Sequence, residues 1–352
     1  MTDLIAWMDQ VAPDAALAVA GPKMGRLAEL GQAGVRVPYS FAVTVDAFRA
    51  HCDEHGLAQK ADDILSAVDA ADSAAVEAAA LRVQDVFLAA PLSEALRRGI
   101  VEAYDELSDR CVDLNAPVAV RSSATGEDSG AASFAGAFDT YLGVSGPDRV
   151  VDAVRRCWAS LFTPRATAYR LQQGIDHRAM PMAVGVVELV HARSSGVAFS
   201  IHPVTGKRDR LVIEANWGWG EAVVQGLVTP DHVEVGKADR RVLRYDVADK
   251  RVVSAFDYAV GAVTEVAMPE RLRERQVLDD DEVAQVVAAV LRIEEHYGYP
   301  VDVEWVVDRH RRSGEAVSIV QTRPVTVVAA PEPPKVWDPT AFAAKYAHGG
   351  GR

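Results

Sequence analysis

The chain has 352 residues, 49% of them apolar and 25% charged, with a formal net charge of −13. That length is too great for one compact core and suits two or three packed lobes. The acidic balance excludes a nucleic-acid backbone as partner, since phosphate chains call for a basic face, but it leaves room for a small phosphorylated ligand held by a few placed cations.

No run of 18 or more apolar residues occurs, so no membrane span is expected. The start, MTDLIAWMDQ, carries Asp3 and Asp9 and has no basic n-region, unlike a secretory leader. Cys52, Cys111 and Cys157 are far apart and form no C-x-x-C. They read as reduced thiols of a cytoplasmic protein, not as staples or a zinc site.

In chain order, residues 23–32 (KMGRLAELGQ) predict a short helix stopped at Gly34, and 37–48 a strand followed by a helix. The Ala-rich stretch from 57 to 111 predicts two or three helices broken near Pro91. Residues 118–121 predict a buried strand and 149–173 more helix. Strands are predicted at 182–190, 196–200 and 210–215, and a set of strands over 233–253. Residues 279–297 predict an amphipathic helix, its acidic DDDE start matched to the helix dipole. Two final strands and the Pro-rich AAPEPPK follow. Strands and helices alternate irregularly, as in mixed α/β or α+β folds and not in a regular doubly wound sheet.

The last two strands carry the most chemistry. VDVEWVVD (301–308) and VSIVQTRPV (317–325) are joined by the polar RHRRSGEA. In the hairpin register whose paired numbers sum to 625, Glu304 faces Gln321 and Asp302 faces Arg323. Alternation puts all four on one face. Val303, Trp305, Val307, Val320 and Thr322 take the other, which suits a core. The polar block is either a solvated face with cross-strand ion pairs or the floor of a ligand site. In the second case Glu304 and Gln321 supply oxygen ligands to Mg2+, Arg323 grips a phosphate, and Asp302 orients that arginine or meets the metal through water.

Other stretches are weaker alone. AGPKMGR (20–26) offers a loop, Lys23 and a helix start, a pattern that suits anions, although most loop lysines are merely solvated. Arg121 ends a buried strand, where either a structural ion pair or a fixed phosphate contact is possible. SSATGEDSGAASFAGAFDT after it supplies hydroxyls and bare N–H groups. It is either a surface loop or a cover anchored by Phe134 and Phe138. In Glu214 and NWGWGEAVVQG, Gly218 and Gly220 allow either a tight turn among core tryptophans or close approach to a ligand, with Glu221 beside them.

Taken together, VAVRSSATGEDSGAASFAGAFDTYLGV (118–144), SGVAFSIHPVTG (195–206), EANWGWGEAVVQGLVTPDHVEV (214–235) and DVEWVVD…IVQTRPV (302–325) resemble the nucleotide-binding domain shared by phosphoenolpyruvate synthase, pyruvate phosphate dikinase and rifampicin phosphotransferase. The likeness covers nearly the whole chain. It implies an α+β ATP-grasp fold with ATP and Mg2+ between two lobes: 1–184 with Lys23, Arg121 and the covering loop 122–140, 185–327 with the adenine hinge and the hairpin, and a tail over 328–352. It implies that Lys23 and Arg121 contact ATP phosphates, that Gly136 and Thr140 lie on the covering loop, and that the backbone of Glu188, Leu189 and Val190 meets the adenine edge. Glu304 and Gln321 would bind Mg2+ or the phosphates, and Arg323 a phosphate; Lys23, Arg121 and Arg323 form the catalytic set. The chain departs from the family at G-P-K-M-G, where a G-G-K run is usual, and at the hinge, where glutamine is often found.

Full-length relatives continue into a swivelling domain whose histidine accepts a phosphoryl group from ATP. No T-x-G-G-x-x-x-H context occurs here, and His202 in SIHPVTG reads as structural or as a support behind the residues that touch a ligand. The expectation is an ATP-cleaving subunit that phosphorylates a histidine on a separate partner subunit. The phosphoryl group would pass on to a phenolic hydroxyl, as in phenylphosphate and 4-methylphenyl phosphate synthases. The alternatives are the nucleotide-binding part of a split phosphoenolpyruvate synthase or antibiotic phosphotransferase, and a non-catalytic ATP sensor.

Overall fold

The computed structural model describes residues 4–125, 137–224, 226–257, 262–310 and 315–325. The run 126–136, with Phe134 and Gly136, and the tail 328–352 lie outside these residues.

A first antiparallel sheet is built from β1 (Ile5–Trp7), β2 (Ser40–Val43), β3 (Val118–Ala124), β4 (Thr140–Val144) and β5 (Met182–Glu188), in the order β1-β2-β5-β3-β4. A second contains β6 (Ala192–Phe199), β7 (Arg210–Trp217), β8 (Asp231–Gly236), β9 (Val242–Asp246), and the hairpin β12 (Val301–Asp308) and β13 (Val317–Pro324), in the order β13-β12-β6-β7-β8-β9. A separate two-stranded ribbon joins β10 (Val252–Asp257) to β11 (Ala262–Ala267). The predicted boundary at 184/185 falls inside β5, whose apolar run continues in the first sheet to Glu188.

The helices are α1 (Pro13–Gln32), α2 (Val45–His55), α3 (Leu57–Leu65), α4 (Ser73–Ala89), α5 (Glu94–Arg110), α6 (Pro147–Ala159), α7 (Pro164–Gln173), the short α8 (Glu221–Val224) and α9 (Glu270–Arg273), and α10 (Asp280–Tyr297). Helices α2 to α7 cover one face of the first sheet around Phe41, Val118, Val120, Trp158 and Val184. Helix α10 covers one face of the second around Val303, Trp305, Val307 and Ile319. It starts with a full capping box, Asp279 and Glu282 satisfying each other's free N–H groups. A third cluster, with Met24 and Leu27 of α1, Ala119, Leu189, Trp219 and Val306, joins the lobes. Among the described residues no helix is long and apolar enough to cross a membrane.

Helix α1 differs from its predicted form. The alanine-rich residues before Gly21 are already helical, and Gly21 (φ 70°, ψ 174°) breaks the path without ending the element. Only glycine takes that backbone cheaply, and any Cβ would stand 2.2 Å from the Ser123 carbonyl. Pro22 needs no N–H partner at the start of the second segment, and Met24 N–H donates to Ser123 Oγ (3.4 Å). A fresh helix start thus abuts β3 two residues beyond Arg121.

Candidate functional site

The site is built on the alternate residues of two facing sheets. On β3, Val118 and Val120 enter the helix-covered core, so Ala119, Arg121 and Ser123 face the other way. Arg121 pairs with Gly185 on β5, where a Cβ would collide with Met24 Sδ at 2.2 Å; the missing side chain lets α1 settle beside the arginine.

The hairpin pairs Asp302 with Arg323 and Glu304 with Gln321, in the register read from the sequence. A bulge follows Glu304, so Trp305 opposes Ile319 instead of Val320. Val320 is therefore displaced from the predicted core face and packs with the third cluster, on the site side.

Arg121 crosses from the first lobe to this hairpin. Its Nη1 donates to the Val320 carbonyl (3.0 Å) and its Nη2 to Gln321 Oε1 (2.6 Å). Glu304 Oε2 stands 3.6 Å from Nη2, an ion pair too long for a strong hydrogen bond. The amide and the carbonyl make the tie, and the carboxylate adds charge. Arg323 Nε donates to Asp302 Oδ2 (2.7 Å). Asp302 is 8% exposed and Arg323 44%, so a buried acid steadies a half-exposed arginine. Burial pushes the Asp302 carboxyl above the usual range, while Arg323 pulls it down and Glu304 pushes it up.

One cavity lies where these elements meet. Arg121, Thr140, Glu188, Leu189, Val190 and Glu304 all line it, and Gln321 reaches it through Arg121. Lys23 and Arg323 stand outside its wall. Lys23 occupies the new helix start beside β3, close enough for its charge to act on Cys157. Gly136 lies outside the described residues. At the hinge, Glu188 N–H donates to Tyr39 O (2.8 Å), Leu189 N–H to Pro117 O (3.0 Å), and the Glu188 carboxylate accepts from Tyr39 N–H (3.1 Å). The Glu188 side chain is thus committed to its own backbone scaffold.

Sequence reading missed Ala119, Leu142 and Val306 of the same wall. Each lies two residues from a predicted member (Arg121, Thr140 and Glu304), so strand alternation carried the signal. Glu221 also lines the cavity. Burial raises its carboxyl, with Arg121 opposing and Glu304 and Glu265 adding to the rise. Gly218 serves a different purpose from ligand approach: a Cβ there would meet the Ser254 carbonyl at 2.2 Å, so the glycine seats the ribbon. His202 is structural, its Nδ1 accepting from Val204 and Thr205 N–H in a turn.

Among the described residues no group of three or more His, Cys, Asp or Glu is arranged to hold a metal. Glu304 with Gln321 offers two oxygen donors on adjacent strands. That set fits Mg2+ carried in with phosphate oxygens, not a resident ion in a protein cage.

A guanidinium from the first antiparallel sheet thus meets oxygens from the second at one cavity, beside residues 188–190. Residues 17–340 match the family model described as pyruvate phosphate dikinase, AMP/ATP-binding domain. The chain belongs to that family, and its α+β fold is of the ATP-grasp type. It is 41% identical over 324 residues to "Probable phosphoenolpyruvate synthase" of Methanocaldococcus jannaschii, covering 92% of this chain and 27% of the relative. It is 37% identical over 349 residues to phosphoenolpyruvate synthase of Aeropyrum pernix, covering 92% and 42%. It is 41% identical over 315 residues to rifampicin phosphotransferase of a Streptomyces species, covering 89% and 35%. The chain spans less than half the length of these relatives.

Proposed function

We propose that the cavity binds Mg2+–ATP and cleaves it in a dikinase-type reaction. The β-phosphoryl group passes to a histidine, the γ-phosphate passes to water, and AMP remains. The cross-cleft bonding of Arg121 to Gln321 and Val320 carries this reading, because it brings a guanidinium and the hairpin's oxygens to one point beside the hinge. Phosphoryl transfer depends chiefly on positioning and charge. In this reading Arg121 binds phosphate, Lys23 and Arg323 approach from its flanks, and Thr140 lies over the chain of phosphates. Glu304 and Gln321 would hold Mg2+, which neutralises phosphate charge when bound. Val190 N–H and the neighbouring carbonyl oxygens meet the adenine edge.

In this reading the acceptor histidine sits on a swivelling domain of a partner subunit. The final acceptor in this reading is a phenolic hydroxyl, in a cytoplasmic setting that three free cysteines suit. The rifampicin phosphotransferase and phosphoenolpyruvate synthase relatives favour a second reading, in which the hydroxyl belongs to an antibiotic or pyruvate is the acceptor. Incubation with ATP and histidine-bearing partners is expected to release AMP and leave phosphohistidine; ATP binding with no AMP under any pairing would leave a sensor. Arg121→Ala is expected to weaken Mg2+–ATP binding about tenfold or more, read by calorimetry. Unchanged affinity would remove the cross-cleft site.

A further inference from the structure

Beyond the end of β5, three hydrogen bonds hold the hinge backbone. Leu189 N–H donates to Pro117 O (3.0 Å), and the His191 carbonyl accepts from Arg309 N–H (2.9 Å). Both are backbone to backbone and do not depend on side-chain identity. The third does: the Val190 carbonyl accepts from the indole N–H of Trp219 (3.0 Å).

Trp219 is itself firmly placed. Its own N–H donates to Ser254 O (3.1 Å), and Gly218 N–H before it donates to Arg193 O (3.0 Å). The side chain is buried in the cluster that joins the lobes, and it shares the cavity wall with Ala119, Leu142, Leu189 and Val306. These apolar wall residues are where a flat aromatic base gains most from burial.

We propose that Trp219 is a positioning residue for the nucleobase and a determinant of which base is taken. The inference rests on reading the cavity as a nucleotide site. The indole fixes the 190–191 peptide and occupies the Val190 carbonyl; Val190 N–H, on the preceding peptide of the same wall residue, is in this reading the edge group offered to the base. A donor there suits the ring nitrogen N1 of adenine, which accepts. It opposes guanine, whose N1 carries a proton. A Val190 carbonyl released from the indole can turn to accept that proton.

The test compares wild type with Trp219→Phe, which keeps a ring and loses the donor. Binding of ATP, GTP and inorganic tripolyphosphate, each with Mg2+, is measured by calorimetry. The variant is expected to lose about tenfold in ATP affinity, to close part of the gap between ATP and GTP, and to bind tripolyphosphate as before. No loss for ATP, or an equal loss for all three ligands, overturns the proposal. A wild-type protein that binds none of them removes the nucleotide reading itself. Should the variant fail to fold, 5-fluorotryptophan-labelled wild type supplies the second readout. One of the six tryptophan signals is expected to move with ATP and stay still with tripolyphosphate, and identical spectra for the two ligands overturn the proposal.

Discussion

In the first sheet, β3 is buried along nearly all its length, and Arg121 is its one charged residue, set between Val120 and Ser122. The second sheet is charged across several strands on the face opposite α10. Gln321, Glu304, Val197, Glu214 and His232 occupy successive paired positions, and Arg323, Asp302, Phe199, Val212 and Glu234 form the next row. Glu214 Oε1 and His232 Nδ1 stand 2.7 Å apart within that floor. A lone guanidinium on an apolar strand has few partners in its own lobe, and the Arg121 Nη groups bond to Val320 and Gln321 of the opposite one. Those few bonds therefore serve both the charge balance of the cleft and the contact between lobes, beside the apolar cluster that joins them.

Buried cations show the contrast again. In the first lobe Arg170 is 1% exposed and is held by neutral groups, the Leu161 carbonyl and His177 Nδ1 (2.9 Å). Burial brings its pKa down to about 10, so it stays charged near neutrality. In the second, Lys250 and Asp231 are both fully buried and paired at 2.5 Å, and Asp231 also accepts from Ala248 and Val277 N–H. Asp231→Ala leaves a buried ammonium without its counter-charge and is expected to cost about 3–5 kcal/mol, measured by urea unfolding. His177→Ala removes one neutral acceptor from Arg170, and about 1–3 kcal/mol is expected. Equal costs for the two would break the contrast between a lobe that holds its charge with dipoles and one that holds it with ions.

The floor of the second lobe was legible because an antiparallel sheet with one wet face writes its polarity at every second residue. The pairs Glu304–Gln321 and Asp302–Arg323 follow from that alternation alone. The bulge after Glu304 was not legible, since no residue there demands it, and Val320 changed sides as a result. In the first lobe a strand buried on both faces shows no alternation, so only the break at Arg121 was visible. The kink of α1 was hidden for a similar reason: Gly-Pro reads as an end, and the close approach to Ser123 that keeps the element going is a tertiary contact.

The seat of the ribbon on the second lobe sharpens the comparison further. Gly218 has φ 75° and lies against Ser254 O and Val253, while Trp219 N–H and Ala222 N–H bond Ser254. Gly218→Ala is expected to cost about 1–3 kcal/mol through strain and displacement. It should also raise hydrogen exchange at Trp219 and Ala222 more than anywhere on β3. Uniform exchange across both lobes would mean that the ribbon is not locally seated.

The smallest effect concerns Glu221, the acid for which one arginine is not enough. Burial raises its carboxyl, Arg121 opposes the rise, and Glu304 and Glu265 add to it. A carboxyl whose pKa is higher folded than unfolded is protonated more readily in the native state. Stability then falls as pH rises from the unfolded value, about 4.3, to the raised native one, and the deficit is complete above it. Glu221→Gln cannot titrate and escapes that deficit. The variant is expected to melt slightly above wild type at pH 7.5 and level with it near pH 4, read by differential scanning calorimetry. A gain at pH 4 that vanishes at pH 7.5 would reverse the sign and mean that Arg121 across the cleft outweighs burial and the two neighbouring acids.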